Sequence, residues 1–424
     1  MRQFLPICIL CLFFSSVFSQ KISGDWRGEI DVQGSQIPIV FHFYKDSTGS
    51  INGTWDSPKQ NAKNLPFSQI KADEDSVHLA IQMISGSYNG KFINNDSIAG
   101  IWQQGVNQIP LNFSHTILNN DRENASSMHP GGQQISINTV PGITISGTLL
   151  SKNNHQKLAI IVAGSGPTDR NGNGLGVETN DYKMLAWSLD SQNIATFRYD
   201  KRGVAKSASG NIREDSLRFD DYVTDLERIF DYIHDTLQFK DIYFIGHSEG
   251  SLVSIIASQK KKVKGFISVA GAGRPVDVIL KEQMQKQHLP DSVKQQVSQI
   301  FDQLKNGKQV DDVPQLLSPL FRKSVQPYMI SWLKYSPEKE IKKLSCPVLI
   351  LQGSCDIQVK IEDAENLHKA NKKSILEIIP SMSHTLKNAG VNCDNQQKTY
   401  TDSSMPIDKK LVKDIVGFIE KGEK

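Results

Sequence analysis

The 424-residue sequence is poor in cysteine. Two of its five cysteines, Cys8 and Cys11, lie in the first 19 residues, which leaves Cys346, Cys355 and Cys393 in the rest of the chain. Three sparse cysteines are not the disulfide framework of a small secreted domain. A single bridge among them remains possible if the protein is exported.

The sequence has no strong excess of charge of either sign. It contains 48 lysines and arginines against 45 aspartates and glutamates, and its formal net charge is +3. Its longest basic run is residues 260–262, so nucleic acid is not expected as a partner. The composition, 38% hydrophobic and 22% charged, is that of an ordinary globular protein, and the length allows two or three domains.

Long hydrophobic runs are absent beyond the first 19 residues. There, Arg2 precedes an apolar stretch over residues 4–14, and small residues including Ser19 follow. This layout is typical of a secretory signal peptide over residues 1–19, cleaved before Gln20. The alternative is a membrane anchor, but the run is shorter than the roughly 20 residues that a spanning helix needs. We therefore expect a secreted or periplasmic protein without stable membrane insertion after cleavage.

Residues 20–118 show short segments of alternating polarity separated by turn residues, and no helical period. This pattern predicts a small antiparallel β meander or barrel. A Gly-x-Trp unit occurs three times, at Trp26, Trp55 and Trp102. We expect these tryptophans to pack in the core rather than to contact a ligand, because tryptophan is mostly buried in small β domains. No catalytic constellation is found in this domain, and its role stays open.

A polar linker over residues 119–133 precedes a change of period. Residues 134–424 alternate strand-like and helix-like segments, which predicts an α/β domain with a mainly parallel sheet covered on both faces. Residues 276–343 interrupt the alternation with helix-like spacing only, and we interpret them as a helical cap. Caps in this position usually shape the acyl pocket. A helical excursion without substrate contact is the alternative.

The motif Gly246-His247-Ser248-Glu249-Gly250 lies between an apolar strand-like run and a helix-like segment. A strand that ends in Gly-x-Ser-x-Gly and turns at once into a helix is typical of a nucleophile elbow. Its serine is exposed at the carboxyl end of the sheet, on a turn where only small residues fit. Ser248 is therefore the candidate nucleophile.

A serine nucleophile needs a base, and the base needs an acid to orient it. Asp356 follows the strand-like residues 347–351 and is the candidate acid, although it could instead cap the helix predicted near Ile361. His384 follows the strand-like residues 375–379 and is the candidate base, although a loop histidine is often only solvated. His368 is the other histidine beyond Asp356, and it lies in a helix-like run.

An oxyanion hole requires two backbone N–H groups that point at the developing negative charge. One is expected from Glu249, directly after the nucleophile. The other is expected from Ser165, in the glycine-rich turn over residues 163–172, because glycine lets the backbone approach a substrate closely. A phosphate-binding loop is excluded there, since no Gly-Lys-Ser/Thr follows.

Residues 136–421 resemble the α/β-hydrolase superfamily, in its serine aminopeptidase-like and acyl-esterase branch of exported bacterial proteins. Ala163 stands where many relatives have histidine, and Ala205 where they have glycine. The resemblance implies Ser248 as nucleophile, Asp356 as acid and His384 as base, with no metal or organic cofactor. The matching motifs, in chain order, are Gly164-Ser165-Gly166-Pro167 with Asp169-Arg170, Tyr199-Asp200-Lys201-Arg202-Gly203 with Ser207, the motif around Ser248, Gly353 with Asp356-Ile357-Gln358-Val359, and His384.

The β domain resembles one that precedes similar hydrolases in Bacteroidetes-type bacteria. Together these features predict a serine esterase that cleaves a small-molecule ester or other acyl substrate through an acyl-enzyme. An aminopeptidase or a thioesterase of the same fold are alternatives. From another class, the chain could be a ligand-binding protein whose β domain captures lipid or glycan while the hydrolase is idle.

Overall fold

The computed structural model describes residues 22–421, with the exception of residues 33–34, 46–49, 58–61, 74, 82–85, 105–106, 117–131, 152–155, 175–176, 209–211 and 286–289. The signal peptide predicted for residues 1–19 and all but the last two residues of the predicted linker lie outside the described residues. The chain divides into two compact units, Met1–Ser127 and Met128–Lys424. No helix in the described ranges is long and apolar enough to cross a membrane.

The first unit is a single nine-stranded antiparallel sheet, as the alternating pattern predicts. Its strand order is β4-β3-β2-β1-β9-β8-β7-β6-β5, so two runs of consecutive strands are joined where β1 pairs with β9. The sheet curls, and β3 contacts β5 from the opposite edge. The strands are β1 Gly24–Val32, β2 Ser35–Lys45, β3 Ile51–Ser57, β4 Ala62–Pro66, β5 Gln69–Ala72, β6 Ser76–Ile81, β7 Gly86–Asn94, β8 Ser97–Gln104 and β9 Asn107–Thr116.

The three Gly-x-Trp tryptophans lie in the core of this sheet. Trp26, Trp55 and Trp102 are buried, which agrees with the prediction of core packing. The indole N–H of Trp26 donates to the carbonyl oxygen of Ile22 at 2.9 Å, so its polar edge is satisfied inside the core. Successive strands direct alternate residues inward because the side-chain period of a strand is two.

The second unit is an eight-stranded sheet in the order β10-β11-β13-β12-β14-β15-β16-β17. The pairs from β13 to β17 are parallel, and β10 and β11 are antiparallel additions at one edge. This confirms the predicted mainly parallel α/β sheet. The strands are β10 Gln133–Val140, β11 Ile143–Leu150, β12 Lys157–Val162, β13 Ala195–Tyr199, β14 Asp241–His247, β15 Gly265–Val269, β16 Val348–Gly353 and β17 Ile375–Ile379.

Helices cover both faces of this sheet. Alternate residues of β12 belong to two different core clusters, Leu158 with Ile160 on one face and Ala159 with Ile161 on the other. A strand buried on both faces reads as a continuous apolar run for this reason. The helices outside the cap are α1 Asp181–Asp190, α2 Phe219–Asp231, α3 Glu249–Ser258, α9 Ile361–Ala370, α10 Gln396–Thr401 and α11 Lys409–Lys421.

Between β15 and β16 the described residues form helices and no strand. Phe301 and Leu304 are fully buried in a separate core of this segment, together with Phe321 from a later helix. The apolar residues of the longest helix recur every three or four positions, which is the spacing of one helical face. The helices are α4 Val276–Gln285, α5 Asp291–Lys305, α6 Ser318–Phe321, α7 Gln326–Trp332 and α8 Pro337–Glu340.

The departure from the family pattern at Ala205 has a backbone cost. Ala205 has φ 43°, in the left-handed region that favours glycine. An L-residue with a Cβ pays about 1–2 kcal/mol there, whereas glycine loses about 0.5–1 kcal/mol in additional chain entropy. Alanine at this position therefore stores strain that glycine would relieve.

We expect Ala205→Gly to raise the free energy of unfolding by about 0.5–1 kcal/mol, because relief of strain outweighs the added entropy of the unfolded chain. The matched control is Ala208→Gly, three residues further on, where φ is −74° and glycine relieves nothing. That variant should lose about 0.5–1 kcal/mol. Urea denaturation of both variants measures the difference, and equal losses in the two would contradict the assignment of strain.

Candidate active site

Ser248 lies on a strained turn between β14 and α3. Its backbone has φ 52° and ψ −119°. A Cβ on Gly246 would come within 2.6 Å of the Cα of Ser251, and one on Gly250 within 2.5 Å of the carbonyl oxygen of Ala163. Only glycine fits either position, which is why the elbow needs both. The turn places Ser248 at the carboxyl end of β14, as the motif predicts.

Asp356 and His384 are in direct contact. The Nδ1 of His384 lies 2.8 Å from Oδ2 of Asp356. The other carboxylate oxygen accepts the backbone N–H groups of Gln358 and Val359, at 2.8 and 2.9 Å. Because a carboxylate accepts, Nδ1 of His384 carries the proton and donates it. Helix α9 begins after Lys360, so Asp356 does not cap it.

The surroundings keep Asp356 ionised. Burial by itself would raise the pKa of its carboxyl. The charge of His384, its hydrogen bond and the two backbone amides outweigh burial and hold the pKa of Asp356 below its ordinary value. The His384 side chain is 7% exposed and that of Asp356 is fully buried. The pair is therefore shielded from water and arranged with a charged acid beside the histidine.

His247, next to the nucleophile, holds the main chain of His384. Its Nε2 lies 2.9 Å from the carbonyl oxygen of His384, and its Nδ1 lies 2.7 Å from the hydroxyl of Tyr182. Burial, and then the charge of His384, lowers the pKa of His247 to about 3, so the ring is neutral. Since a carbonyl only accepts, Nε2 donates and Nδ1 accepts from Tyr182. The same hydroxyl accepts the N–H of Gly164 at 3.0 Å.

A buried lysine joins the glycine-rich turn to the elbow. The Nζ of Lys201 lies 2.9 Å from the carbonyl oxygen of Gly164 and 2.9 Å from Oε1 of Glu249. It also lies 4.1 Å from the centre of the Tyr222 ring. Oε2 of Glu249 is buried, and the buried hydroxyl of Tyr328 lies beside this carboxylate. Gly164 is thus held through both its N–H and its carbonyl, which determines where Ser165 lies.

A second buried ion pair attaches the far part of the same turn. Arg170 and Asp200 form a bidentate pair, with Nε to Oδ1 at 3.0 Å and one guanidinium nitrogen to Oδ2 at 2.6 Å. The backbone N–H of Arg170 also donates to this carboxylate at 2.9 Å. Two motifs that are 30 residues apart in the chain are therefore one unit in the fold.

Two cavities meet at Ser248. The wide cavity has a volume of about 300 Å³, and Ser165, Ser248 and His384 are among its lining residues. The narrow cavity has a volume of about 80 Å³, and Ser165, Ser248 and Glu249 are among its lining residues. Four of the five predicted site residues line one or both cavities. The fifth, Asp356, lies behind His384 and is hydrogen-bonded to it.

The family model for serine aminopeptidases, S33, matches residues 172–389, about half of the chain and including the elbow, Asp356 and His384. The chain belongs to this serine aminopeptidase-like family of α/β-hydrolases. It is also similar to the esterase EstD of Thermotoga maritima, with 22% identity over 334 residues, which cover 75% of this chain and 74% of EstD.

Solved structures of α/β-hydrolases are similar as well. Est1E from Butyrivibrio proteoclasticus is 21% identical, covers 68% of this chain and 99% of its own, and has a TM-score of 0.46. The Pyrococcus furiosus esterase Pf2001 is 14% identical, covers 71% of this chain and 94% of its own, and has a TM-score of 0.48.

The sequence prediction for this S33 hydrolase assigned no role to Tyr182, His247 or Lys201. His247 and Lys201 lie inside motifs that are recognisable in the sequence. The residues that they contact are distant in the chain, so no local pattern indicated these contacts. Tyr182 lies 65 residues from His247, and nothing in its local sequence distinguishes it. All three residues hydrogen-bond to groups that lie around Ser248 in the fold, and only His247 is also its neighbour in the chain.

A disulfide lies directly beside the candidate acid of this hydrolase. Cys355, which precedes Asp356, is bonded to Cys393, 38 residues further on, and Cys346 is a free thiol. The sequence left the pairing among the three cysteines open. The bridge joins the loop of Asp356 to the chain that follows His384.

We expect Asp356→Asn to lower kcat by about 10⁴-fold, because an amide cannot hold His384 in the tautomer that accepts a proton at Nε2. The variant keeps the size of the side chain, so the melting temperature should change little. Asp394→Asn, at an exposed position on the neighbouring loop, is the matched control and should keep full activity. A variant that retained more than a tenth of the rate would exclude Asp356 as the orienting acid.

We expect replacement of both Cys355 and Cys393 by alanine to lower the free energy of unfolding by about 2–4 kcal/mol, since a bridge across 38 residues restricts the unfolded chain. Cys346→Ala is the control, because that thiol is unbonded. Guanidinium denaturation under oxidising conditions measures both variants. Equal midpoints for the double variant and the wild type would show that the bridge contributes nothing.

Proposed function

We propose that this hydrolase cleaves carboxylic esters through an acyl-enzyme, with Ser248 as nucleophile, His384 as base and Asp356 as orienting acid. The observation that carries the proposal is that a serine on a nucleophile elbow and a histidine bonded to a buried aspartate line the same cavity. The esterase relatives support the ester as the substrate class. Export to the periplasm or medium is part of the proposal, and a disulfide in the fold supports it.

In the first half-reaction, Oγ of Ser248 attacks the ester carbonyl carbon while Nε2 of His384 takes the hydroxyl proton. The C–O bond to the alcohol then breaks, and His384 returns its proton to the leaving oxygen. In the second half-reaction, a water molecule gives a proton to His384 and attacks the acyl carbon. The bond to Ser248 breaks, His384 returns the proton to Oγ, and the carboxylic acid is released from the free serine.

The negative oxygen that forms in each half-reaction needs donors in place beforehand. The N–H of Glu249 is suited to this, because the first amides of a helix have no acceptor within the helix and lie at its positive end. Ser165 follows the doubly held Gly164 and lines both cavities with Ser248. Their two backbone N–H groups are the proposed oxyanion hole.

An aminopeptidase is the second candidate, because Glu249 contributes a carboxylate to the wall of the narrow cavity. It could accept the ammonium group of a substrate. Lys201 already neutralises this carboxylate, however. A substrate ammonium would therefore gain little net attraction, which favours uncharged acyl groups. A thioester would undergo the same chemistry at Ser248.

We expect Ser248→Ala to lower the hydrolysis of p-nitrophenyl acetate by at least about 10³-fold, since the variant has no nucleophile. A fluorophosphonate probe should label the wild type at Ser248 and leave the variant unlabelled. Ser191→Ala, at an exposed position in the same unit, should behave as the wild type.

Activity that survives in Ser248→Ala would contradict the proposal. An unlabelled wild type would favour a binding protein with an idle hydrolase unit. Faster cleavage of aminoacyl p-nitroanilides than of esters would favour the peptidase.

A further inference from the structure

The two cavities at Ser248 divide a bound ester into its acyl and alcohol parts. Ser165, Ser248 and Gln358 line both cavities, so the reacting carbon lies at their junction. The part of the ester on one side of that carbon must occupy the wide cavity, and the other part must occupy the narrow one. Which part goes where follows from proton transfer.

His384 decides the direction in which the ester binds. Its side chain lines the wide cavity, and it is absent from the described residues that line the narrow one. The alcohol oxygen has to receive its proton from His384, and a proton donor must lie within hydrogen-bond reach. The alcohol therefore occupies the wide cavity, and the acyl group occupies the narrow cavity beside the oxyanion donors.

The narrow cavity is bounded by one face of α4. Val276, Ile279, Leu280 and Gln283 all line it, and this i, i+3, i+4, i+7 spacing is a single helical stripe. Leu252 of α3 and Trp332 of α7 contribute to the lining. A cavity of about 150 Å³ holds benzene, so a volume near 80 Å³ has room for about three carbon atoms.

The charged groups in the wall of the narrow cavity are already paired. Arg274 donates to Asp363 at 2.9 Å and to Glu282 at 2.9 Å, and Glu249 is bonded to Lys201. Burying a further charge without a partner would be costly. A short, uncharged acyl group is what this space accepts.

Polar and apolar groups together line the wide cavity beyond the reacting serine. The carboxylate of Asp181 is buried there, and burial raises its pKa to about 7. The hydroxyl of Tyr400 accepts the side-chain amide of Gln358 at 3.1 Å, and both residues line the cavity. Gln358 is exposed and Tyr400 is partly exposed, so an alcohol without polar groups would strip water from these two side chains without replacing its hydrogen bonds. Thr168, Thr179 and Thr385 also line the cavity, and their hydroxyls donate to backbone carbonyl oxygens.

We propose that the preferred substrate is an ester of a short acyl chain, of two to four carbons, with a polyhydroxylated alcohol such as a sugar. The inference rests on the proposed ester hydrolysis at Ser248. The helix α4 of the cap limits the acyl chain, and the exposed polar side chains of the wide cavity select the alcohol.

The acyl part is tested with p-nitrophenyl acetate, butyrate and octanoate. The wild type should lose at least about tenfold in kcat/KM between butyrate and octanoate, because each added methylene beyond the cavity costs binding. Ile279→Ala should enlarge the cavity and raise the octanoate-to-acetate ratio about tenfold or more. Val278→Ala, on the exposed face of the same helix, is the matched control and should leave the ratio unchanged.

The alcohol part is tested with two acetates of similar ring size, cyclohexyl acetate and a mono-O-acetyl methyl glucoside, by release of acetate. The sugar ester should show at least about tenfold higher kcat/KM. Tyr400→Phe should reduce the rate on the sugar ester more than on cyclohexyl acetate, because a hydrogen-bonding group is lost from the wide cavity.

The outcomes separate this inference from the proposed function. Ser248-dependent hydrolysis with octanoate as the best acyl group would overturn the acyl assignment alone, as would equal shifts in Ile279→Ala and Val278→Ala. A preference for cyclohexyl acetate would overturn the alcohol assignment alone. Absence of any Ser248-dependent ester cleavage would overturn the proposed function and this inference with it.

Discussion

The close approach of α3 to the end of β12 is the constraint on which the rest of the site depends. At Gly250 the helix lies against the carbonyl oxygens of Val162 and Ala163, where no side chain fits. Ser248 has a positive φ in the same turn, and Gly164, which precedes Ser165, lies close to Ser248. This close packing therefore brings the candidate nucleophile beside the turn that carries one of the two proposed oxyanion donors.

Buried charge makes the motifs of this chain interdependent. The Lys201 side chain is 5% exposed, and removing its Glu249 partner would leave an ammonium group uncompensated in the interior. The buried pair of Arg170 and Asp200 has the same property at the far part of the glycine-rich turn. Each pair ties the glycine-rich turn to another loop, so the turn keeps its shape without regular secondary structure of its own.

The candidate acid and the candidate base are held from two sides. Backbone amides and the adjacent disulfide restrain the loop of Asp356, while neutral His247 holds the carbonyl of His384. The proposed base needs a fixed partner and a neighbour that stays neutral. Ionised Asp356 and neutral His247 meet these two needs, and α4 of the cap supplies the proposed acyl wall.

The sequence by itself determined the local features. Alternation of period two predicted the antiparallel sheet, strand and helix alternation predicted the parallel one, and the glycines around Ser248 predicted the elbow, because each depends on steric rules within a few residues. The tertiary structure alone decided which cysteines pair, how Tyr182 reaches His247, and that the charges of Arg274 and Glu249 are already compensated. It also separated the wide from the narrow cavity. Such contacts join residues tens or hundreds of positions apart, and their partners are selected by packing, which no local pattern encodes.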